Sequence, residues 1–124
     1  MIIMKKAIFL GLLAVVLLLA GCGTGENWKV EFTKPLQFIQ GKEAPFEIRV
    51  TEDKKPVTGI NATAEIEMVT MNHGTINVRL TEGKDGRYQG KAQLTMPGQY
   101  TVTFKFKKGG YTVEKTLEIE VKKG

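Results

Sequence analysis

Residues 100–106 read Tyr100-Thr101-Val102-Thr103-Phe104-Lys105-Phe106, with an apolar side chain at every second position and a polar one between. Successive side chains of a β-strand point to opposite faces, so this spelling makes one dry face and one wet face. The same period extends outward through Trp28, Val30 and Phe32; Phe46, Ile48 and Val50; Ala62, Ala64, Ile66 and Met68; and Ile76, Val78 and Leu80. It continues in Tyr88, Gly90, Ala92, Leu94 and Met96, and in a last run from Tyr111 that ends on Leu117, Ile119 and Val121. Lys115 interrupts that last run and is read as the mark of a β-bulge. Turn residues separate the runs at Glu52 to Gly59, Met71 to Thr75, Glu82 to Gly86, Met96-Pro97-Gly98-Gln99 and Lys107 to Gly110. No helical amphipathic stretch competes with them. Seven short strands with one apolar face each are not stable as a single layer, so they must pack face to face. The expectation is an all-β fold, an immunoglobulin-like antiparallel β-sandwich of about seven strands, without the disulfide of antibody domains.

Ahead of the sandwich the composition changes. Lys5 and Lys6 precede an apolar run from Ala7 to Leu19, and small residues follow, the parts of a secretory signal. The run is short for a membrane-spanning helix, which needs about 20 apolar residues. Leu19-Ala20-Gly21-Cys22 resembles the bacterial lipobox, which predicts a lipoprotein signal peptide over 1–21 and lipid attachment at Cys22. The alternative is an uncleaved anchor with an incidental cysteine. Residues 22–27 then form a lipidated cysteine and a short polar tether reaching about 15–20 Å, followed by one domain over 28–124. This places the domain on the extracytoplasmic face of a bacterial membrane, with membrane lipid as its first partner.

The average of 42% hydrophobic residues therefore mixes two kinds of segment. Without its leader the chain has 103 residues, 16 of them basic and 13 acidic. That is one domain, not a large two-domain enzyme, and its charge is too mild and evenly spread for nucleic acid. A single cysteine and a single histidine exclude disulfide frameworks, Cys-rich zinc sites and poly-His cages. No Ser-His-Asp order, phosphate loop or cofactor fingerprint is present, so a non-enzymatic role is expected.

Strands joined by short turns alternate in direction, which gives a map. If the strand from Ala62 ascends, the turns at Met71–Thr75 and Met96–Gln99 share the top, and Glu82–Gly86 lies at the bottom. Counting back, the strand from Trp28 also ascends, so the tether joins at the bottom. The mature chain's methionines, Met68, Met71 and Met96, thus gather with its lone imidazole, His73, at the end facing away from the membrane. Thioether and imidazole donors suit Cu(I) and suit calcium or magnesium poorly. The plainer reading stands beside this one: Met68 and Met96 fall on inward strand faces as core fillers, and Met71-Asn72-His73-Gly74 is a type I turn with an exposed histidine.

The stretch from Pro45 to Phe106 resembles the YtkA-like domain, a small extracytoplasmic module related to FixH. The resemblance rests on Pro56-Val57-x-Gly59; on Met68, Met71 and His73; on Asp85-Gly86-x-Tyr88-x-Gly90; and on Met96-x-Gly98-x-Tyr100. It implies an immunoglobulin-like fold and copper handling, with Met68, Met71, His73 and Met96 as Cu(I) ligands and an extracytoplasmic copper or oxidase-assembly protein as partner. Tyr100 stands where the family more often carries tryptophan. The competing function is a module of the cell envelope that docks a protein or peptide without metal, through an apolar patch at the top formed by Pro35, Leu36 and Phe38 beside Met71. Glu65 and Glu67 on one wet strand face are read as solvated, not as a catalytic pair. Lys107 and Lys108 on the bottom hairpin either touch anionic headgroups or protect an edge strand.

Overall fold

A computed structural model describes residues 27–70 and 74–124. The strands are β1 (Trp28–Lys34), β2 (Ala44–Glu52), β3 (Lys55–Pro56), β4 (Asn61–Met68), β5 (Thr75–Arg79), β6 (Thr81–Glu82), β7 (Arg87–Ala92), β8 (Gly98–Lys108) and β9 (Tyr111–Val121), with no helix among the described residues. One sheet has the order β1-β2-β7-β6, with β3 paired to β2, and the other has the order β5-β4-β8-β9. All named strand pairs are antiparallel. This is the expected two-layer sandwich, in which the seven long runs account for seven strands and β3 and β6 are two-residue additions.

The alternation is the reason for the layers. Phe46, Ile48 and Val50 of β2 and Tyr88 of β7 are buried against Ala64 and Ile66 of β4 and Val102, Phe104 and Phe106 of β8. Aromatic rings join the sheets: Phe32 of β1 lies 6.2 Å from Phe46 and 5.9 Å from Phe104, and Trp28 lies 6.0 Å from Phe106. Tilted pairs at this spacing hold more than their buried area alone supplies. No buried side-chain nitrogen or oxygen among the described residues lacks a hydrogen-bond partner. Gly90 on the inner side of β7 has no room for more: a Cβ there would stand 2.5 Å from Leu80 Cδ2 and 2.9 Å from Val78 Cγ1.

Two local expectations are corrected. Lys115 is not at a bulge, because β8 and β9 pair without a shift from Gly98↔Val121 to Lys108↔Tyr111, with Lys115 opposite Phe104. It is a half-buried charge turned to the inner side of an edge strand, a placement that discourages a further strand from adding. The irregularity lies instead in β1, between Phe32 and Lys34. The run from Tyr88 likewise does not stay in the sheet as far as Met96. β7 ends at Ala92, Leu94 still reaches the core, and Met96 is 36% exposed in the turn before β8.

That turn is held by Tyr100, whose hydroxyl donates to the Met96 carbonyl at 2.7 Å. A tyrosine at the start of this strand, bonded back to the corner that precedes it, is a recurrent device of immunoglobulin-like sandwiches. A second tyrosine works at the other end of β7. The buried Tyr88 hydroxyl donates to the Val57 carbonyl at 2.9 Å, while the Val57 N–H donates to Val50. Burial pushes the Tyr88 phenol up from 10.0 to about 12, and the nearby Glu82 carboxylate adds to the effect.

Two outcomes follow from these hydroxyls. Tyr100→Phe is expected to lose about 1–2 kcal/mol of stability in urea denaturation, with the fold retained. For Tyr88 the folded state keeps the phenol neutral where the unfolded chain ionises it. Its contribution is therefore full below pH 10 and lost as pH rises toward about 12. The difference in unfolding free energy between wild type and Tyr88→Phe should shrink across that window, by about 2–3 kcal/mol at its upper end.

Candidate functional site

Register places the candidate ligands that can be described. Met68, the last residue of β4, stands opposite Tyr100 of β8, and the Val69 N–H donates to the Gln99 carbonyl at 2.9 Å, carrying the ladder one step further. The Met68 methyl lies over Gly98, where a Cβ would stand 2.8 Å from Met68 Cε. Gly98 also has φ +148°, which L side chains rarely adopt, and this backbone conformation is what calls for glycine there. Met96 lies two residues before it. The two thioethers therefore sit at one end of the sandwich, as the strand alternation implies.

The opposite end belongs to Trp28. Its ring lies 6.2 Å from Tyr111, which follows β8 across the hairpin, and its Nε1 donates to Glu52 at 3.1 Å. The eleven residues of β8 separate the two ends by about 33 Å. The chain's first described strand thus begins far from Met68 and Met96.

Thr75 re-enters the sheet opposite Glu67, and its hydroxyl donates to the Glu67 carboxylate at 2.8 Å. Met71 and His73, which precede it, lie outside the described residues, as does Cys22. Of the four expected copper ligands, the structure brings Met68 and Met96 to one end and leaves Met71 and His73 undescribed. The two thioethers differ in setting, since Met68 is half-buried against the core and Met96 turns outward. Met96 was expected to face inward. The carbonyl captured by Tyr100, together with the missing N–H of Pro97, draws it out of the ladder instead.

The rest of this end is closed by the C-terminus. Phe38 forms a parallel bridge with Lys123, donating its N–H to Lys122 and accepting from the Gly124 N–H, both at 2.9 Å. Leu36 is buried and Phe38 half-buried, so the expected docking patch of Pro35, Leu36 and Phe38 is largely spent on the core. Among the described residues, the large apolar side chains exposed at this end are Val69, at 51%, and Met96. The sequence pattern did not single out Val69; its place directly after an alternating run was the available signal.

Among the described residues no three His, Cys, Asp or Glu side chains group closely enough to hold a metal ion. Two soft thioethers remain as the donors at this end. The carboxylates of β4 have other partners: Lys105 Nζ donates to Glu65 at 2.9 Å, which raises the Lys105 pKa, and Glu67 accepts from Thr75. Both belong to a wet face. Among the described residues no helix is long and apolar enough to cross a membrane.

The positions behind the family resemblance divide by what they do. Val57 accepts from Tyr88, the Gly59 N–H donates to Glu82 at 3.0 Å, Gly90 admits Leu80 and Val78, and Gly98 lies under Met68. These build the sandwich. The Met96 side chain has no such duty in the packing. No curated protein matches the chain. The YtkA-like family model matches residues 24–105, from before β1 through most of β8. The sandwich topology, the tyrosine and glycine staples and this match together say that the chain belongs to the YtkA-like family.

Proposed function

We propose that this YtkA-like protein is a lipid-anchored, extracytoplasmic Cu(I)-binding protein that passes copper to, or shields it for, a partner in the cell envelope. The observation that carries the reading is the use the fold makes of Met96. Tyr100 takes the backbone carbonyl of that residue, which any amino acid would supply, and leaves the thioether exposed at the end where Met68 also lies. An exposed apolar side chain gains nothing from burial at that position, whereas a soft neutral sulfur is a good donor to Cu(I). Met96 and Met68 would provide sulfur, with Met71 and His73 completing the set. Thioethers resist oxidation better than thiolates, which suits an extracytoplasmic site. Copper is cargo in this reading, and the protein holds it without changing its oxidation state.

The anchor belongs to the same proposal. Cys22 as the lipidated first residue of the mature chain leaves a tether too short to lift the domain far from the bilayer, and β1 begins at the end of the sandwich opposite Met96. The metal-bearing end would then face the envelope space.

Cu(I) titration of the full chain under reductant, with a competing chelator, is expected to show binding far tighter than that of free methionine. Met96→Ala and His73→Ala should each weaken it about tenfold or more. Unchanged affinity in both variants, or binding no tighter than free methionine, overturns the proposal. Separately, intact-mass analysis of protein from a bacterial membrane should find a chain starting at a diacylated Cys22. Cys22→Ser should abolish both the cleavage and the lipid mass.

A further inference from the structure

The flank between β5 and β7 is left open by the way the chain changes sheets. Leu80 donates its N–H to the Ala62 carbonyl at 2.9 Å and so belongs to the β4 side, whereas Thr81 already pairs with Gln89 of β7. The ladder along β7 therefore stops at Gln89. Hydrogen-bond parity decides which groups are left beyond it. The Val50 N–H donates to Gly86, so even-numbered residues along β7 bond to β2, and the Gly83 N–H donates to Arg87, so odd-numbered residues face β6. Pro45, which has no N–H, stands opposite Lys91 and fits this parity. Lys91 thus turns its backbone N–H and C=O away from β2. Continued register would have set Arg79 beside it, but Arg79 pairs with Thr63 across the other sheet. Among the described residues no strand fills that place.

Beside it lies a cleft of about 620 Å³, lined by the side chains of Lys34, Arg79 and Lys91, with Glu47 as its only carboxylate. Glu47 is already engaged. It accepts from Thr33 and Gln89, each at 2.7 Å, and lies 3.9 Å from the Arg87 guanidinium. The two hydrogen bonds hold its carboxyl below the usual carboxylate range. Lys34, opposite Glu47 in the β1–β2 register, adds its charge to that lowering, whereas Arg79 and Lys91 take part in no ion pair among the described residues. The cleft therefore offers an open ladder position framed by three cations against one engaged carboxylate.

We propose that this flank binds an extended acidic segment of another protein, which adds as a strand beside Gly90–Ala92. Lys91 supplies the main-chain hydrogen bonds, and Lys34, Arg79 and Lys91 face the carboxylates of the incoming strand. A second copy of this chain is the poorer occupant, because pairing like edges would bring two sets of the same cations together. The site is independent of the metal-binding reading, since it uses none of Met68, Met71, His73 and Met96.

The test uses the full chain in non-ionic detergent and a short synthetic peptide of alternating glutamate and valine, with a lysine and valine peptide as its counterpart. The acidic peptide should slow exchange of the Lys91 amide at least tenfold, and its binding should weaken with salt. Arg79→Glu and Lys34→Glu, both in exposed side chains, should each reduce binding about tenfold. The proposal is overturned by an unprotected Lys91 amide at millimolar peptide, by equal binding of the lysine peptide, or by unchanged affinity in both variants. Lys91 protection that grows with protein concentration in the absence of peptide assigns the edge to a second copy and overturns it as well.

Discussion

At Leu80 one strand has to serve two sheets. The residues before it complete the edge of the sheet built on β4 and β8, and those after it begin the edge of the sheet built on β2 and β7. The change is tolerated because Leu80 itself is buried, packed where Gly90 leaves room, and because its N–H is satisfied by Ala62. From this crossing follow both the closure of the sandwich and the gap along β7. It also returns the chain to the bottom turn, so that β7 ascends and the corner before β8 falls beside the end of β4. Met68 and Met96 share an end for that reason.

The two tyrosines then set how firmly the frame is held. Tyr88 ties β7 to the β3 connection under full burial, and Tyr100 ties the corner to β8. The positions of this chain that carry the YtkA-like resemblance are for the most part such staples: a carbonyl at Val57 for Tyr88, Gly90 where Leu80 and Val78 press in, and Gly98 with its positive φ, while the Tyr100 staple is this chain's own departure from the family's tryptophan. Its function is sought where these demands end, and the exposed thioether of Met96 is one such place.

The layers were legible because a half-buried antiparallel strand writes its two faces into alternate residues. Trp28 to Phe32, Phe46 to Val50, Ala62 to Ile66 and Tyr100 to Phe106 read directly as strands. The readings failed where alternation carries no information about partners. Lys115 breaks the apolar series, yet the ladder runs straight through it, because edge strands accept a charge on the inner side. Met96 keeps the parity of Tyr88 and Leu94 and opens the turn that its spelling marks, yet its side chain faces outward, because a hydroxyl four residues later captures its carbonyl. Leu36 and Phe38 read as part of an apolar docking patch, yet Leu36 is buried in the core and Phe38 is bridged to the C-terminal segment.

By itself the sequence determined the fold class, the end of the sandwich that Met68 and Met96 share and the scarcity of metal-binding groups, since periodicity, length and residue counts are local properties. Only the tertiary structure decided which thioether packs half-buried against the core and which is exposed. It also showed that Leu36 of the expected apolar patch is buried and Phe38 half-buried, and that the Lys91 backbone turns away from β2 beside a cleft lined by three cations. Those properties depend on hydrogen bonds and contacts between residues distant in the chain, and no short window of residues records them.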